Sequence, residues 1–113
     1  DRTIIEGAFF PIHYTSATDR ATAQHWRESY KAMNSVEPNT LAALSYDAAK
    51  LLAEAIAQAN NLKPLAIAGV LEQATVEGVT GPISFDPKHN PIKPVPFVQI
   101  QNGQIGYLTT VAP

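Results

Sequence analysis

The sequence predicts an α/β fold in which one strand is followed by three helices and a C-terminal β-hairpin. Three observations carry that expectation. Apolar residues recur at helical spacing from about residue 23 to residue 71. From Val79 onward the pattern shortens to extended pieces separated by proline and glycine. Asn102-Gly103 then joins two such pieces, and that dipeptide is a strong two-residue hairpin signal.

Residues 3–10 (TIIEGAFF) are short, β-branched and aromatic-rich, and Pro11 limits their C-terminal end, so they read as a mostly buried strand. Ser16-Ala-Thr-Asp19 offers several N-cap candidates for a first helix. Its apolar face is Ala23, Trp26, Tyr30 and Met33, and it runs to about Asn34. Pro38 closes the linker, because the residue before a proline avoids helical geometry. Asn39 or Thr40 caps a second helix of about five turns. Leu44, Ala48, Leu51, Leu52, Ala55, Ile56 and Ala59 form its broad apolar stripe, with Lys50, Glu54 and Gln58 opposite. Asn60-Asn61 ends it. Pro64 suits the first turn of a third helix, where a missing N–H costs nothing. Leu65, Ala68 and Leu71 supply that helix's buried face. Extended pieces follow at residues 81–85, 96–101 and 105–111.

This order leaves a deficit. One clear central strand cannot form a parallel sheet alone, since parallel strands need crossover neighbours. The helical stripes therefore call for an apolar partner: the remainder of the same protein or a second copy of the chain. The abrupt start at Asp1, with neither an initiator Met nor a signal peptide, reads as an internal or trimmed start.

Composition narrows the function. The 113 residues fit one ordinary domain, and no run approaches the length of a membrane-spanning helix. The net charge of −2 comes with scattered basic residues and no cationic stripe, which argues against nucleic acid. With no cysteine, disulfides and thiolate metal sites are excluded. Nine prolines, five of them between Pro82 and Pro96, mark extended, irregular chain there.

No residue pattern supports catalysis. There is no G-x-S-x-G nucleophile elbow. His25 and Glu28 lie three apart on one helix, but two ligands are too few for a closed zinc site, and His13 and His89 sit in separate loops. A solvated polar face explains that pair better. Gly78 and Gly81 open a strand rather than a helix, so the phosphate-loop mechanism does not apply. Asp86 before Pro87 reads as an Asx-type turn, and Asp47 as a carboxylate complementing the dipole of the second helix. Tyr46 either anchors the start of that helix or points its hydroxyl into a cleft. Trp26 and Tyr30 read as core at helical spacing. No catalytic residue, metal or cofactor is expected.

Four segments carry a resemblance: Glu6-Gly-Ala-Phe-Phe10 with His13-Tyr14, the Trp26/Tyr30 helix, Ser45-Tyr46-Asp47-Ala48, and Gly78-Val-Thr-Gly-Pro-Ile-Ser-Phe-Asp86. In that order they resemble the last third of type I periplasmic binding proteins, the leucine/isoleucine/valine-binding class that feeds ABC importers. The family's glycine after the Asp turn is replaced here by His89-Asn90-Pro91, with Asn90 the residue suited to a left-handed turn. The resemblance implies a partial lobe of that α/β fold. Residues 1–15 would be a crossing strand, 16–75 a helical layer of one lobe, and 76–113 the terminal strands and final crossing. It implies a periplasmic receptor fragment that captures a small amino acid of branched-chain type, or a related carboxylate, and presents it to an ABC permease. The ligand contacts it implies here are at Ala43, Leu44 and Tyr46, where a small Ala43 leaves room for a bulkier ligand. Two other readings are a ligand-sensing domain of the same fold and a self-associating α/β interaction module.

Overall fold

A computed structural model describes residues 2–113. The chain forms a short 3-10 turn (Arg2–Ile5), β1 (Phe9–Pro11), α1 (Ala21–Asn34), α2 (Thr40–Ala59), α3 (Pro64–Gln73), β2 (Val76–Gly78), β3 (Gly81–Phe85), β4 (Pro91–Ile92), β5 (Val95–Gln101) and β6 (Gln104–Val111). The strands pair antiparallel in two three-stranded sheets, ordered β1-β5-β6 and β2-β3-β4. The expected isolated strand thus finds partners within the chain, and no parallel pair forms among the described residues.

The chain divides into two parts. Sheet β1-β5-β6 makes few contacts with a helical body of α1, α2, α3 and the β2-β3-β4 sheet, meeting it at a small cleft lined by Tyr14, Val79, Thr80, Pro96, Tyr107 and Thr110. Two segments join them, residues 12–20 and residues 93–94. The radius of gyration is 16.6 Å, and the extents are 55 × 34 × 22 Å. A compact domain of this length has a radius near ~13 Å.

The first strand is shorter and less buried than residues 3–10 predict. Glu6 accepts from the backbone N–H of Asn102 at 2.7 Å and of Gly103 at 3.2 Å, which draws residues 2–7 into a turn over the β5–β6 hairpin. Pairing begins with Gly7 N–H to Ile100 O at 2.9 Å. β1 is an exposed edge strand that contains Pro11 instead of stopping before it, a position proline tolerates because an edge has unpaired N–H sites. The hairpin is as expected, with Asn102 and Gly103 both at positive φ. A bulge between Phe97 and Val98 interrupts the β5–β6 register.

The helices lie where periodicity puts them, but three faces are rotated. α1 buries Ala23 and Trp26 and half-buries Tyr30, as expected, yet Met33 is left in solvent. Its N-cap is Arg20, outside the Ser16–Asp19 candidates, with no side-chain cap. α2 is capped by Asn39, whose side chain accepts from Ala42 N–H at 2.9 Å. It buries Ala43, Asp47, Leu51 and Ala55, a line at i, i+4, i+8 and i+12 that docks on β2 and α3. The expected stripe is therefore split: Leu51 and Ala55 are buried, while Ala48 and Leu52 are exposed. On α3 the expected face of Leu65, Ala68 and Leu71 is replaced by Ala66, Ile67, Val70 and Leu71, all half-buried, and Leu65 is 88 % exposed. The Asp86 turn forms as an Asx turn: Oδ1 accepts from Lys88 N–H and Asn90 N–H at 2.8 Å. The left-handed residue in it is His89 (φ 65), not Asn90.

Candidate functional site

The start of α2 lies on the core of the helical body. Asn39 fixes the first turn, and Pro38 behind it is buried. One helical turn on, Ala43 is fully buried in a cluster with Tyr14, Ala23, Trp26 and Val79. Trp26 is the hub: Tyr14 meets it edge-on at 5.4 Å, Tyr30 at 5.5 Å and Tyr46 at 5.7 Å between ring centroids. Tyr46 is 46 % exposed, so one face packs on Trp26 and the other meets solvent. Trp26, Tyr30, Tyr46, Met33, Lys50 and Glu77 line a groove of about 610 Å³. Leu44 is half-buried on the neighbouring face of α2. Of the three candidate residues, Ala43 and Tyr46 both join the Trp26 cluster, from inside and outside respectively; Leu44 stands apart from it.

Tyr14 contributes more than a ring. Its hydroxyl is buried without a hydrogen-bond partner among the described residues. Burial pushes its pKa up, with the Arg27 charge opposing and the Glu37 charge adding. Arg27 itself grips Glu37 through Nε and Nη2, both at 2.7 Å, and Lys31 adds a contact at 2.6 Å. Hydrogen bonds from these two cations hold the Glu37 carboxyl down at about 2.

Beside the cluster lies a polar junction. Asp47, on the eighth residue of α2 and outside the reach of the helix dipole, does not complement that dipole as expected. Its carboxylate is buried and holds the β2–β3 turn: Oδ1 accepts from Val79 N–H at 2.6 Å, and Oδ2 accepts from Thr80 N–H at 2.9 Å and the Thr80 hydroxyl at 2.7 Å. The Gly78–Gly81 turn thus does cradle an anion, one supplied by its own chain. Arg20 donates to Val79 O and Gly78 O at 3.0 Å each and pairs with Glu77. Lys50 donates to Glu77 O at 2.7 Å. Lys93 donates to Thr80 Oγ1, and burial lowers its pKa, opposed by Asp47 and reinforced by Arg20.

Arg20 and Lys93 carried no signal in the sequence, because each acts through a partner far along the chain and neither belongs to a periodic pattern; Thr80 stood in the Gly78–Asp86 motif, but its bond to Asp47 could not be read there. His25 is exposed on α1, in line with a solvated face. Among the described residues no group of three His, Asp or Glu side chains could hold a metal ion, and no helix is long and apolar enough to cross a membrane. The groove offers aromatic faces from Trp26, Tyr30 and Tyr46 and the half-buried Lys50.

A family model described as periplasmic binding protein matches residues 2–104. Among solved structures, the chain is similar to the leucine-binding protein LivK of Thermotoga maritima MSB8, at 30 % identity and a TM-score of 0.78, covering 96 % of this chain and 32 % of that one. It is similar to the branched-chain amino acid transporter substrate-binding protein LivJ of Streptococcus pneumoniae, solved with isoleucine, at 31 % identity and a TM-score of 0.76, covering 93 % and 30 %. A solute-binding protein of an ABC transporter from R. palustris, solved with benzoate, shares the fold at 23 % identity and a TM-score of 0.82, covering 96 % and 31 %. The chain spans about a third of the length of these relatives.

Proposed function

The chain belongs to the periplasmic binding protein family, and from that premise we propose that it is the C-terminal part of an extracytoplasmic solute-binding protein serving an ABC importer. The ligand is a small amino acid of branched-chain type or a related carboxylate. Two relatives at 30–31 % identity are a leucine-binding protein and a protein solved with isoleucine, and the benzoate bound by a third has the same carboxylate. On this reading residues 12–20 and 93–94 are crossings between two lobes, and sheet β1-β5-β6 is a piece of the second lobe. Ala43, Leu44 and Tyr46 at the start of α2 flank the ligand's side chain. Of these, Tyr46 makes the direct contact, because Ala43 is already enclosed and acts by setting where Tyr46 and Trp26 sit.

No covalent chemistry is involved. A ligand held between two lobes stabilises their closed arrangement by the difference in its affinity for the two states. The closed receptor then delivers it to a membrane permease. The observation that carries the reading is a family match across nearly the whole chain, on a chain a third the length of its relatives. Isothermal titration of the full-length gene product with leucine, isoleucine and benzoate tests it. Binding in the micromolar range or tighter by at least one is the expected result. Flat isotherms for all three, or a gene product of no more than these 113 residues, would overturn it.

A further inference from the structure

The two connecting segments are fastened to the helical body in unequal ways. That inequality has a mechanical meaning if they are lobe crossings, as the receptor reading has them. Each segment ends in a cation, and both cations bind the same β2–β3 turn. Arg20 closes the first segment with three contacts, to the carbonyls of Gly78 and Val79 and to the Glu77 carboxylate. A planar guanidinium with several fixed donors holds orientation as well as position. Lys93 opens the second segment with one contact, to the Thr80 hydroxyl. That hydroxyl donates its only proton to Asp47 Oδ2, so its lone pairs face the ammonium.

The chain beyond Lys93 is stiff. Pro94 and Pro96 have locked φ, and Lys93 and Val95, each preceding a proline, are restricted as well. The Pro94 ring also lies against the turn, where a Cβ on Gly81 would come within 2.9 Å of it. Residues 93–96 therefore form a short, stiff lever whose far end is the start of β5, which pairs with both β1 and β6. The charge at the lever's near end is half-desolvated and held at one point.

We propose that the Lys93 ammonium on the Thr80 hydroxyl is a releasable catch between the second crossing and the helical body. With the catch engaged, the lever and its sheet take one orientation; with it released, the sheet swings while the Arg20 segment stays fixed. Asp47 anchors the catch to α2, so the same helix that presents Tyr46 also feels the lever. Lys93 is thus a positioning residue for lobe closure, acting through Thr80 and never on the ligand.

The test uses the full-length gene product and Lys93→Met, which keeps the stem and removes the ammonium, with Lys93→Gln as a second variant should the first fold poorly. Small-angle scattering gives the radius of gyration of the ligand-free protein, and leucine titration gives Kd. Expected are a changed ligand-free radius and a Kd moved by about threefold or more, since a shift in the open–closed balance changes apparent affinity. Lys93→Arg, which keeps a cation, should restore both towards wild type. An unchanged ligand-free radius in Lys93→Met overturns the catch, even if the melting temperature falls. Failure of the wild-type protein to bind leucine, isoleucine or benzoate counts against the receptor reading instead, and the ligand-free radius still decides the catch.

Discussion

The carboxylate of Asp47 occupies the space a side chain on Gly78 would need: a Cβ at position 78 would come within 2.7 Å of Oδ2. Glycine is required there by approach, since its φ is not in the left-handed region. The absence of a Cβ lets α2 lie against the β2–β3 turn and lets one carboxylate satisfy three donors at once.

Two substitutions test that arrangement from opposite sides. Gly78→Ala overpacks a buried contact and is expected to cost about 1–3 kcal/mol. Asp47→Ala strands the Val79 and Thr80 N–H groups and the Thr80 hydroxyl, with an expected loss of about 3–5 kcal/mol. Urea denaturation of each variant measures both. An Asp47→Ala protein as stable as wild type would show that water replaces the carboxylate freely.

The contrast between Asp47 and its helix explains what was legible in the sequence. Helix α2 could be read from its Asn39 cap and its period, and β3 and the Asn102-Gly103 hairpin from turn chemistry, because those signals are local. The helix's burial could not. Its buried line passes through Asp47, a residue that any hydropathy argument assigns to solvent, and the reason is a turn 32 residues away. The same holds for α3, which rotates to put Ile67 and Val70 inward and leaves Leu65 out. At the candidate site, Tyr46 and the Trp26 cluster were visible as aromatic residues at helical spacing. Arg20 and Lys93 were not, since their meaning lies wholly in which turn they reach; Thr80 was visible as a motif position, but not as the partner of Asp47 and Lys93.

Tyr14 gives a prediction of unusual sign. Removing a buried hydroxyl normally costs stability because its partner is left unsatisfied. This one has no partner among the described residues. Tyr14→Phe is expected to leave stability within about 0.5 kcal/mol of wild type or raise it, by thermal melting, because the ring contact with Trp26 at 5.4 Å is kept. A loss well beyond that would mean that the hydroxyl is paired in solution.

Glu37 sets a pH dependence. Its folded pKa is held at about 2 by hydrogen bonds from Arg27 and Lys31, below its ordinary value of 4.5. A carboxylate with a depressed folded pKa contributes stability above its unfolded pKa and loses it as pH falls through the folded value. The contribution is therefore present at neutral pH and fades between about 4.5 and 2. It is small, because Glu37 is exposed and screened. Thermal melts of wild type and Glu37→Gln should converge as pH drops through that window and separate above it. Curves that stay parallel from neutral pH down to the folded pKa would assign the acid limb to other groups.

The exposed apolar line on α2 separates the receptor fragment from a self-sufficient module. Leu41 is 72 % exposed and Leu52 48 %, and with Ala48 they mark one side of the helix, away from the buried Ala43–Ala55 line. In the isolated 113-residue chain Leu52 stays in contact with solvent, so Leu52→Glu should change stability by no more than about 0.5 kcal/mol and should reduce self-association seen by sedimentation. On the proposed reading, the rest of a full-length receptor packs there. The same substitution would then bury an unpaired carboxylate and cost several kcal/mol, on the order of 3 or more. The opposite outcomes in the two contexts are the signature of a surface built for covering chain. Equal, small effects in both would leave that side of α2 in solvent and remove the main physical argument that the rest of the receptor docks on it.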